Sequence, residues 1–330
     1  MVSRYLTLLC VVCVLSVAGS GQSGVCKANE FPVGIINAKG EAFRGLTPAS
    51  FTAQVGGNRE SLTSMSFDEG PRRVVLIVDA SRKLSDDTRK AERLLVETLL
   101  NSARKEDSYA LIVARGAEQT VKFGEDRKSI VDAVPLEPSG KSTKGGVLDA
   151  VMQGITLLGP AQPGDSILVI AADLEGNKTT SARKVTRALH DHRIRMLGLA
   201  LGPVSAQNYM AGGQTTTSLG LATTTPGVGE LTYDTGDQDY YPLTHDSGGI
   251  VISAMNGSPQ RSYNMKDPKL QQELAYKAQV ISNVISTYYR AEVGPVPARV
   301  EDLIVLPSDN LRKQFPQMFL LYPHQVGPCS

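Results

Sequence analysis

The sequence has no tryptophan and few aromatic residues of any kind, which make up only 5% of its 330 positions. A chain this poor in aromatic side chains has little to offer as a stacking platform for single-stranded nucleic acid. It also lacks an excess of either charge, because its formal net charge is +1 at pH 7. Nucleic acid therefore gains no bulk electrostatic attraction, and we predict that the chain does not bind it.

Cysteine is scarce as well, with four residues in the whole chain, two of them in an unusual N-terminal segment. There Arg4 is followed by an apolar run from Tyr5 to Val17 and by the small residues Ala18-Gly19-Ser20. This is the layout of a secretory signal peptide, which we predict over residues 1–20. The alternative is an uncleaved N-terminal anchor, in which case this segment would be the protein's contact with a membrane.

The other two cysteines, Cys26 and Cys329, lie near opposite ends of the exported chain. Exported proteins are oxidised and domain termini often lie close together, so we predict a disulfide between them. Such a link would stabilise the fold by about 4–5 kcal/mol in the chain-entropy model. The alternative is two separate thiols. The predicted location is secreted, periplasmic or elsewhere in the cell envelope.

What the sequence does contain is a change of pattern along the chain. Short apolar stretches with Gly and Asn turns predict a small antiparallel β unit over residues 26–70. From Val74 onward, continuous apolar runs alternate with amphipathic helical patterns, which indicates a parallel sheet covered on both faces. The predicted strands are Val74–Val78, Tyr109–Ala114, Ile167–Ala172, Met196–Leu201 and Ile250–Ile252, and the predicted helices are Asp86–Asn101, Val147–Leu158, Ala182–Leu189 and Pro268–Tyr289.

A stretch rich in Gly and Thr, residues 204–243, interrupts this alternation and is predicted to be a long loop. The predicted fold class is therefore α/β, a doubly wound and mostly parallel sheet over residues 71–293 with the loop 204–243 inserted. A small N-terminal β unit precedes the sheet. A C-terminal tail over residues 294–330 follows it and contains a strand near Val300–Leu306.

The first predicted strand of the sheet ends in Asp79-Ala80-Ser81-Arg82-Lys83. At the carboxyl end of a parallel strand, an acid and a small hydroxyl face the crevice where open α/β sheets bind ligands. The pattern resembles Asp-x-Ser-x-Ser, the first loop of the metal-ion-dependent adhesion site of von Willebrand factor type A domains. Lys83 stands where that motif has its second Ser.

Further landmarks occur in order over residues 32–293, and together they resemble the bacterial proteins related to von Willebrand factor type A. They are a β segment from Lys39-Gly40 to Phe51, the strand Ile167–Asp173, the segment Thr244–Gly249 and a helix running into Tyr288-Tyr289. This resemblance implies a von Willebrand factor A, Rossmann-like fold and a non-enzymatic role in adhesion or protein interaction.

The resemblance also implies a site for a divalent cation, with Asp79, Ser81, Thr143 and Asp173 as its ligands. Mg²⁺ or Mn²⁺ would suit such a set, because hard cations take oxygen ligands. Lys83 opposes occupancy: an ammonium about 4 Å from a dication costs about 8 kcal/mol at an effective dielectric of 20.

Three interpretations of this site follow from Lys83. The first is a degenerate site without metal or other cofactor, in which Lys83 pairs with Asp79 or Asp173. The second is a metal site that works but is weakened. The third is a site whose lysines bind an anion directly.

Basic residues near this motif favour an acidic partner, and we predict that Arg82, Lys83, Lys141 and Lys144 contact a protein or another extracytoplasmic ligand. No catalytic residue is predicted, because Ser81 lacks the Gly-x-Ser-x-Gly elbow of a nucleophile.

The alternative to a binding module is a structural or assembly component of the cell envelope. Such a component would use its N-terminal β unit, and the loops of the sheet would be inert. His190-Asp191-His192 is interpreted as a solvated helix end rather than a metal-binding pair.

Overall fold

The fold is that of a computed structural model, which describes residues 29–80, 84–114, 119–136, 146–171, 180–201, 240–254 and 263–328. The predicted signal peptide and both Cys26 and Cys329 lie outside these residues, so the leader and the disulfide stay predictions. Most of the predicted loop 204–243 lies outside them too. In the described part of the chain, no helix combines the length and the apolar character needed to cross a bilayer.

The predicted strands of the large sheet are present to within one residue at each end, and several short strands occur that the apolar runs did not predict. The strands of the described chain are β1 (Glu30–Ile36), β2 (Phe51–Val55), β3 (Asn58–Glu60), β4 (Leu62–Asp68), β5 (Arg73–Asp79), β6 (Ser108–Ala114), β7 (Gln119–Val121), β8 (Ser166–Ala171), β9 (Arg195–Ala200), β10 (Val251–Ser253), β11 (Tyr288–Val293), β12 (Glu301–Pro307), β13 (Phe319–Leu321) and β14 (Gln325–Val326).

The helices likewise follow the amphipathic segments. They are α1 (Asp86–Ser102), α2 (Arg127–Ala133), α3 (Val147–Leu158), α4 (Ala182–Asp191), α5 (Tyr240–Asp246), α6 (Pro268–Ser286) and α7 (Asp309–Gln314). Two sequence predictions need correction. The helix predicted to reach Tyr289 ends at Ser286, and the loop predicted to reach residue 243 ends where α5 begins.

The early end of α6 has a physical cause. Tyr288 and Tyr289 are both buried but contact different surroundings: Tyr289 belongs to the core of the antiparallel sheets, whereas the Tyr288 ring lies between two arginines. Neighbouring side chains that point to opposite sides are the signature of a strand. Because the preceding residues follow the 3.6-residue period of a helix, the change to the two-residue period of a strand was not predicted.

The six-stranded sheet is mixed and mostly parallel, with the order β10-β9-β8-β5-β6-β7. β7, at one edge, runs antiparallel to β6, and the other neighbours are parallel. Starting from β5, the chain adds β6 on one side and later β8 on the other. This reversal of strand order is the switch point of a doubly wound sheet.

Helices cover both faces of this sheet. Side chains of α1 and α6 pack with Leu76 and Leu168 on one face. Side chains of α3 and α4 pack with Val75 and Ile167 on the other. Burial on both faces explains why the central strands consist of unbroken apolar residues rather than alternating ones.

Two antiparallel sheets of four strands each lie beside the α/β part, with the orders β13-β1-β11-β4 and β14-β12-β2-β3. They share one hydrophobic core, to which Val33, Phe51 and Val305 contribute. Strands from residues 26–70 therefore pair with strands from residues 288–326. The predicted β unit and the predicted tail build the same two sheets.

Candidate functional site

The carboxyl edge of the six-stranded sheet is the first candidate site, and Asp79 lies at its centre. Asp79 is the last residue of β5, which pairs with β6 on one side and with β8 on the other. The chain continues from β5 to β6 on one side and from β8 to β9 on the other, so the switch point lies between β5 and β8. Doubly wound folds place their ligand crevice at this point. The acid identified in the sequence is thus located at the expected place in the fold.

A buried arginine holds the end of β5. Arg89, in the first turns of α1, donates from Nη1 to the backbone oxygen of Asp79 at 2.5 Å and to Oε2 of Glu92 at 2.7 Å. Asp79, Arg89 and Glu92 are all completely buried. The position of Arg89 is set by the start of α1, where the Ser85 hydroxyl accepts a hydrogen bond from the backbone N–H of Thr88 at 3.2 Å.

These three side chains bring two acids and one guanidinium together away from water. Burial raises the pKa of Glu92 to about 8, against the opposing effect of Arg89, and the neighbouring Asp79 adds to the rise. Desolvation disfavours the charged form of a carboxyl group, which explains the direction. The cluster lies at the carboxyl end of β5.

Four helices begin at this edge, since helices in such a sheet run antiparallel to the strands they connect. Their N-cap residues are Ser85 for α1, Gly146 for α3, Ser181 for α4 and Asp267 for α6. Helix N-termini carry partial positive charge and favour anions. The backbone thus adds a positive field to the edge, independently of the basic side chains of the loops.

Most of the residues predicted for this site lie outside the described chain. These are the proposed ligands Ser81, Thr143 and Asp173, the substituting Lys83, and the predicted contact residues Arg82, Lys141 and Lys144. Of the predicted set, Asp79 alone is described. The metal-ligand geometry and the contact residues therefore stay predictions, although β8 ends at Ala171, beside β5 and shortly before Asp173.

A second group of polar side chains, which the sequence analysis did not single out, lies at the amino edge of the sheet. His245, Asp246 and His324 place one potential ligand atom each within 4.8 Å of one another. The rings of His245 and His324 lie 3.7 Å apart between centroids. His190 and His192, the histidines considered from the sequence, lie elsewhere, at the end of α4.

The surroundings of His324 keep its ring neutral and in place. Burial lowers the pKa of His324 to about 4, the nearby His245 lowers it further, and Asp246 opposes the shift. The ring of Tyr322 stacks on that of His324 with 5.0 Å between centroids. No local pattern could have shown this group, because His324 comes from a distant part of the chain.

Comparison with known proteins gives only distant likenesses. No family model matches the chain, and no curated protein matches it. Three solved structures illustrate the range. A von Willebrand factor type A protein from Catenulispora acidiphila is 11% identical, with a TM-score of 0.43, over 91% of this chain and 63% of that one.

The second is an aerotolerance-related membrane protein from Bacteroides fragilis, which is 14% identical with a TM-score of 0.37 over 64% of this chain and 98% of that one. The third is proximal thread matrix protein 1 from the mussel byssus, whose adhesion-site motif holds zinc, at 8% identity and a TM-score of 0.42 over 70% of this chain and 50% of that one. At these scores the likenesses carry no functional argument, and the inferences below rest on the chain's own geometry.

Proposed function

We propose that this protein is an exported, non-enzymatic interaction module of the von Willebrand factor A type. It binds a protein or another extracytoplasmic ligand through the loops at the carboxyl edge of its six-stranded sheet. The observation that supports this most is the position of Asp79, a buried acid at the switch point of the sheet. Function is assigned to the site rather than to the fold, because similar folds serve many purposes.

Charge favours an acidic partner. Arg82 and Lys83 follow β5 directly, while Lys141 and Lys144 precede the start of α3. Positive helix ends point to the same edge. Complementary charge of this kind mainly speeds association and excludes wrong partners, so the binding should weaken as salt rises.

Binding is proposed to need no metal ion. Two acids and two hydroxyls, Asp79, Asp173, Ser81 and Thr143, would suit Mg²⁺ or Mn²⁺, but Lys83 replaces the next hydroxyl. The structure adds a second opposing feature, since the guanidinium of Arg89 already contacts the backbone of Asp79 from below. A dication there would meet positive charge on the chain itself.

Photo-crosslinking in the producing cell tests the binding surface directly. A photo-reactive amino acid placed at Lys83 or Lys144 should form a covalent adduct with one protein. The same amino acid at Lys105 or Lys313, both exposed and away from this edge, should not. Adducts from the control positions alone would refute the proposal.

A charge reversal sharpens that test. Changing Arg82, Lys83, Lys141 and Lys144 to Glu should weaken partner binding by about tenfold or more. Matched control changes to Glu use four exposed basic residues elsewhere and should leave binding unchanged: Lys105, Arg187, Arg312 and Lys313. Equal binding by both quadruple variants would show that charge at the carboxyl edge plays no part.

Calorimetric titration with Mg²⁺, an ion that prefers oxygen ligands alone, tests the metal independence. We expect the native chain to give no binding heat and Lys83→Ser to bind one ion. Saturable binding by the native chain, at micromolar to low millimolar metal, would instead mean that Lys83 points away from the site. Partners that present a carboxylate to the ion would then become the leading candidates.

The alternative, an envelope component assembling through its N-terminal β unit, finds less support in the strand pairing. β1 and β2 are paired on both sides, so assembly by this unit would have to use its edge strands, β3 and β4. An adduct from the exposed Arg59 on β3, without one from Lys83 or Lys144, would favour this alternative.

A further inference from the structure

We propose that His245, Asp246 and His324 form a binding site for one divalent transition-metal ion, zinc above all, at the amino edge of the six-stranded sheet. The site lies at the opposite end of the sheet from Asp79 and does not depend on the function proposed above. A bound ion would cross-link the segment that contains His324 to the end of α5 and so stabilise their contact.

The donor atoms define the class of metal. Two imidazole nitrogens and one carboxylate oxygen are typical ligands of Zn²⁺, whereas Mg²⁺ prefers oxygen ligands alone. In a tetrahedral zinc site with bonds of about 2.1 Å, the ligand atoms lie about 3.4 Å apart. The present separations, within 4.8 Å, are close enough for small side-chain rotations to complete the site.

The backbone brings the ligands together from two distant segments and holds them there. The backbone N–H of His324 donates to the backbone oxygen of Asp246 at 3.0 Å, and Ser247 forms an isolated β-bridge with Pro323. On the other side, the backbone oxygen of His324 accepts from Leu303 at 2.8 Å. A site already arranged by its scaffold loses less entropy when it binds an ion.

Close approach of these two segments depends on glycine. Gly248 has a φ of +80°, and a Cβ there would lie 2.6 Å from the backbone nitrogen of Pro323. A side chain at this position would therefore push the C-terminal segment, and His324 with it, away from α5. The Gly at 248 thus serves the contact between the ligand-bearing segments.

Second-sphere contacts and solvent access also suit an ion. Tyr322 stacks on the His324 ring and so fixes its plane. Asp246 keeps 38% of its side chain exposed and lines a small cavity of about 30 Å³ together with Ser247 and Pro323. Because Asp246 is partly exposed, water can reach the site and supply the fourth ligand that accompanies three protein ligands.

Cobalt uptake tests the proposal, because Co²⁺ replaces Zn²⁺ in such sites and is visible by its absorption. The full chain is made without a histidine tag, treated with chelator and titrated with Co²⁺. We expect one equivalent to bind with the bands of a nitrogen-ligated ion, zinc to displace it, and a large excess of Mg²⁺ to leave it in place.

Variants assign the signal to residues. The chain has four histidines, so His192→Ala is a matched control that should bind Co²⁺ like the native chain. His324→Ala and Asp246→Asn should each weaken binding at least tenfold. Zinc should raise the melting temperature of the native chain and of His192→Ala, but not that of His324→Ala.

Two safeguards keep the test decisive. If circular dichroism shows that His324→Ala does not fold, His324→Gln and His245→Gln take its place. Absence of saturable Co²⁺ binding to the native chain would overturn the proposal. So would binding that survives both histidine changes, or binding that is lost in Asp79→Asn and kept in His324→Ala, which would place the ion at the carboxyl edge.

Discussion

The two edges of the six-stranded sheet treat charge in opposite ways. At the amino edge, two buried carboxylates have closely matched arginine partners. Arg73 makes two hydrogen bonds to the carboxylate of Asp165, at 2.9 and 2.6 Å, and Arg104 pairs with Asp107 at 2.7 Å. Buried charges are tolerated when they are paired and hydrogen-bonded in this way.

An aromatic ring also lies among the charges of the amino edge. The guanidinium carbons of Arg72 and Arg195 lie 4.4 and 4.7 Å from the centre of the Tyr288 ring. The Tyr288 hydroxyl lies 3.2 Å from Oδ2 of Asp68, which also pairs with Arg72. Tyr288 belongs to β11, so this stack connects the α/β part with the antiparallel sheets.

At the carboxyl edge, by contrast, the guanidinium of Arg89 lies against the backbone oxygen of Asp79 and the carboxylate of Glu92, and all three residues are completely buried. Burial raises the pKa of Glu92 there to about 8, whereas at the amino edge it lowers the pKa of Arg195, which lies over the Tyr288 ring, to about 10. The comparison shows that each edge holds a group whose charged form burial disfavours, an acid at one edge and a base at the other.

The largest effect should come from Gly249→Ala at the amino edge. An added Cβ would overlap the backbone oxygen of Met196 at the start of β9, and neither backbone can move without disrupting the sheet. We expect a loss of at least about 3 kcal/mol in the free energy of unfolding, measured with urea. Gly294→Ala is the matched control, because its nearest neighbours would lie 3.7 Å away.

Removing the ring between the two arginines should be nearly as damaging. Tyr288→Leu leaves two buried guanidinium groups without the ring and is expected to cost about 3–5 kcal/mol. Tyr288→Phe keeps the ring, loses the hydroxyl contact with Asp68, and should cost about 1 kcal/mol. Equal losses in the two variants would show that the hydroxyl, not the stacked ring, stabilises this junction.

A pH effect distinguishes the carboxyl edge. Glu92 has an ordinary pKa of 4.5 and a folded pKa of about 8. The folded chain therefore keeps a proton that the unfolded chain loses, and the free energy of unfolding falls as pH rises between these values. Glu92→Gln cannot ionise, so we expect it to gain more than about 1 kcal/mol relative to the native chain between about pH 5 and pH 8.

Urea unfolding at both pH values measures this gain. Glu97→Gln, at an exposed position of the same helix, is the control and should keep the pH dependence of the native chain. A Glu92→Gln variant with the same pH dependence as the native chain would contradict the raised pKa of Glu92.

The smallest effect is expected on the surface near the same edge. Lys90 pairs with Asp87 at 3.0 Å, but its side chain is 57% exposed. Lys90→Ala should change the free energy of unfolding by less than about 0.5 kcal/mol, because solvent screens such pairs. A larger loss, measured in the same urea series, would show that exposed ion pairs at the carboxyl edge also stabilise the fold.

Local pattern was sufficient where one chemical feature decides the structure. Val74–Val78 is unbroken and apolar, and it forms the central part of β5. The helix predicted to begin at Asp86 does begin there, and the hydroxyl of Ser85 accepts the capping hydrogen bond. Helix and strand periodicity arises from neighbours in the sequence, so it can be seen there.

Pattern was insufficient where distant residues compete. The residues up to Ser286 and those from Tyr288 look like one helix, but pairing of β11 with β1 and β4 draws the chain into a strand. Short strands such as β13 and β14 depend on the same long-range pairing. The complete burial of Arg89 likewise depends on residues beyond its own position, Glu92 and the end of β5.

By itself, the sequence determined the alternation of buried strands and amphipathic helices and the position of Asp79 at a strand end. These follow from periodicity and composition within short windows. The tertiary structure alone decided that the first and last strands share two sheets, that Arg89 and Glu92 lie beneath Asp79, and that His324 meets His245. Such contacts join residues far apart in the chain. They form because distant segments bury apolar surface against one another, which no short window of sequence shows.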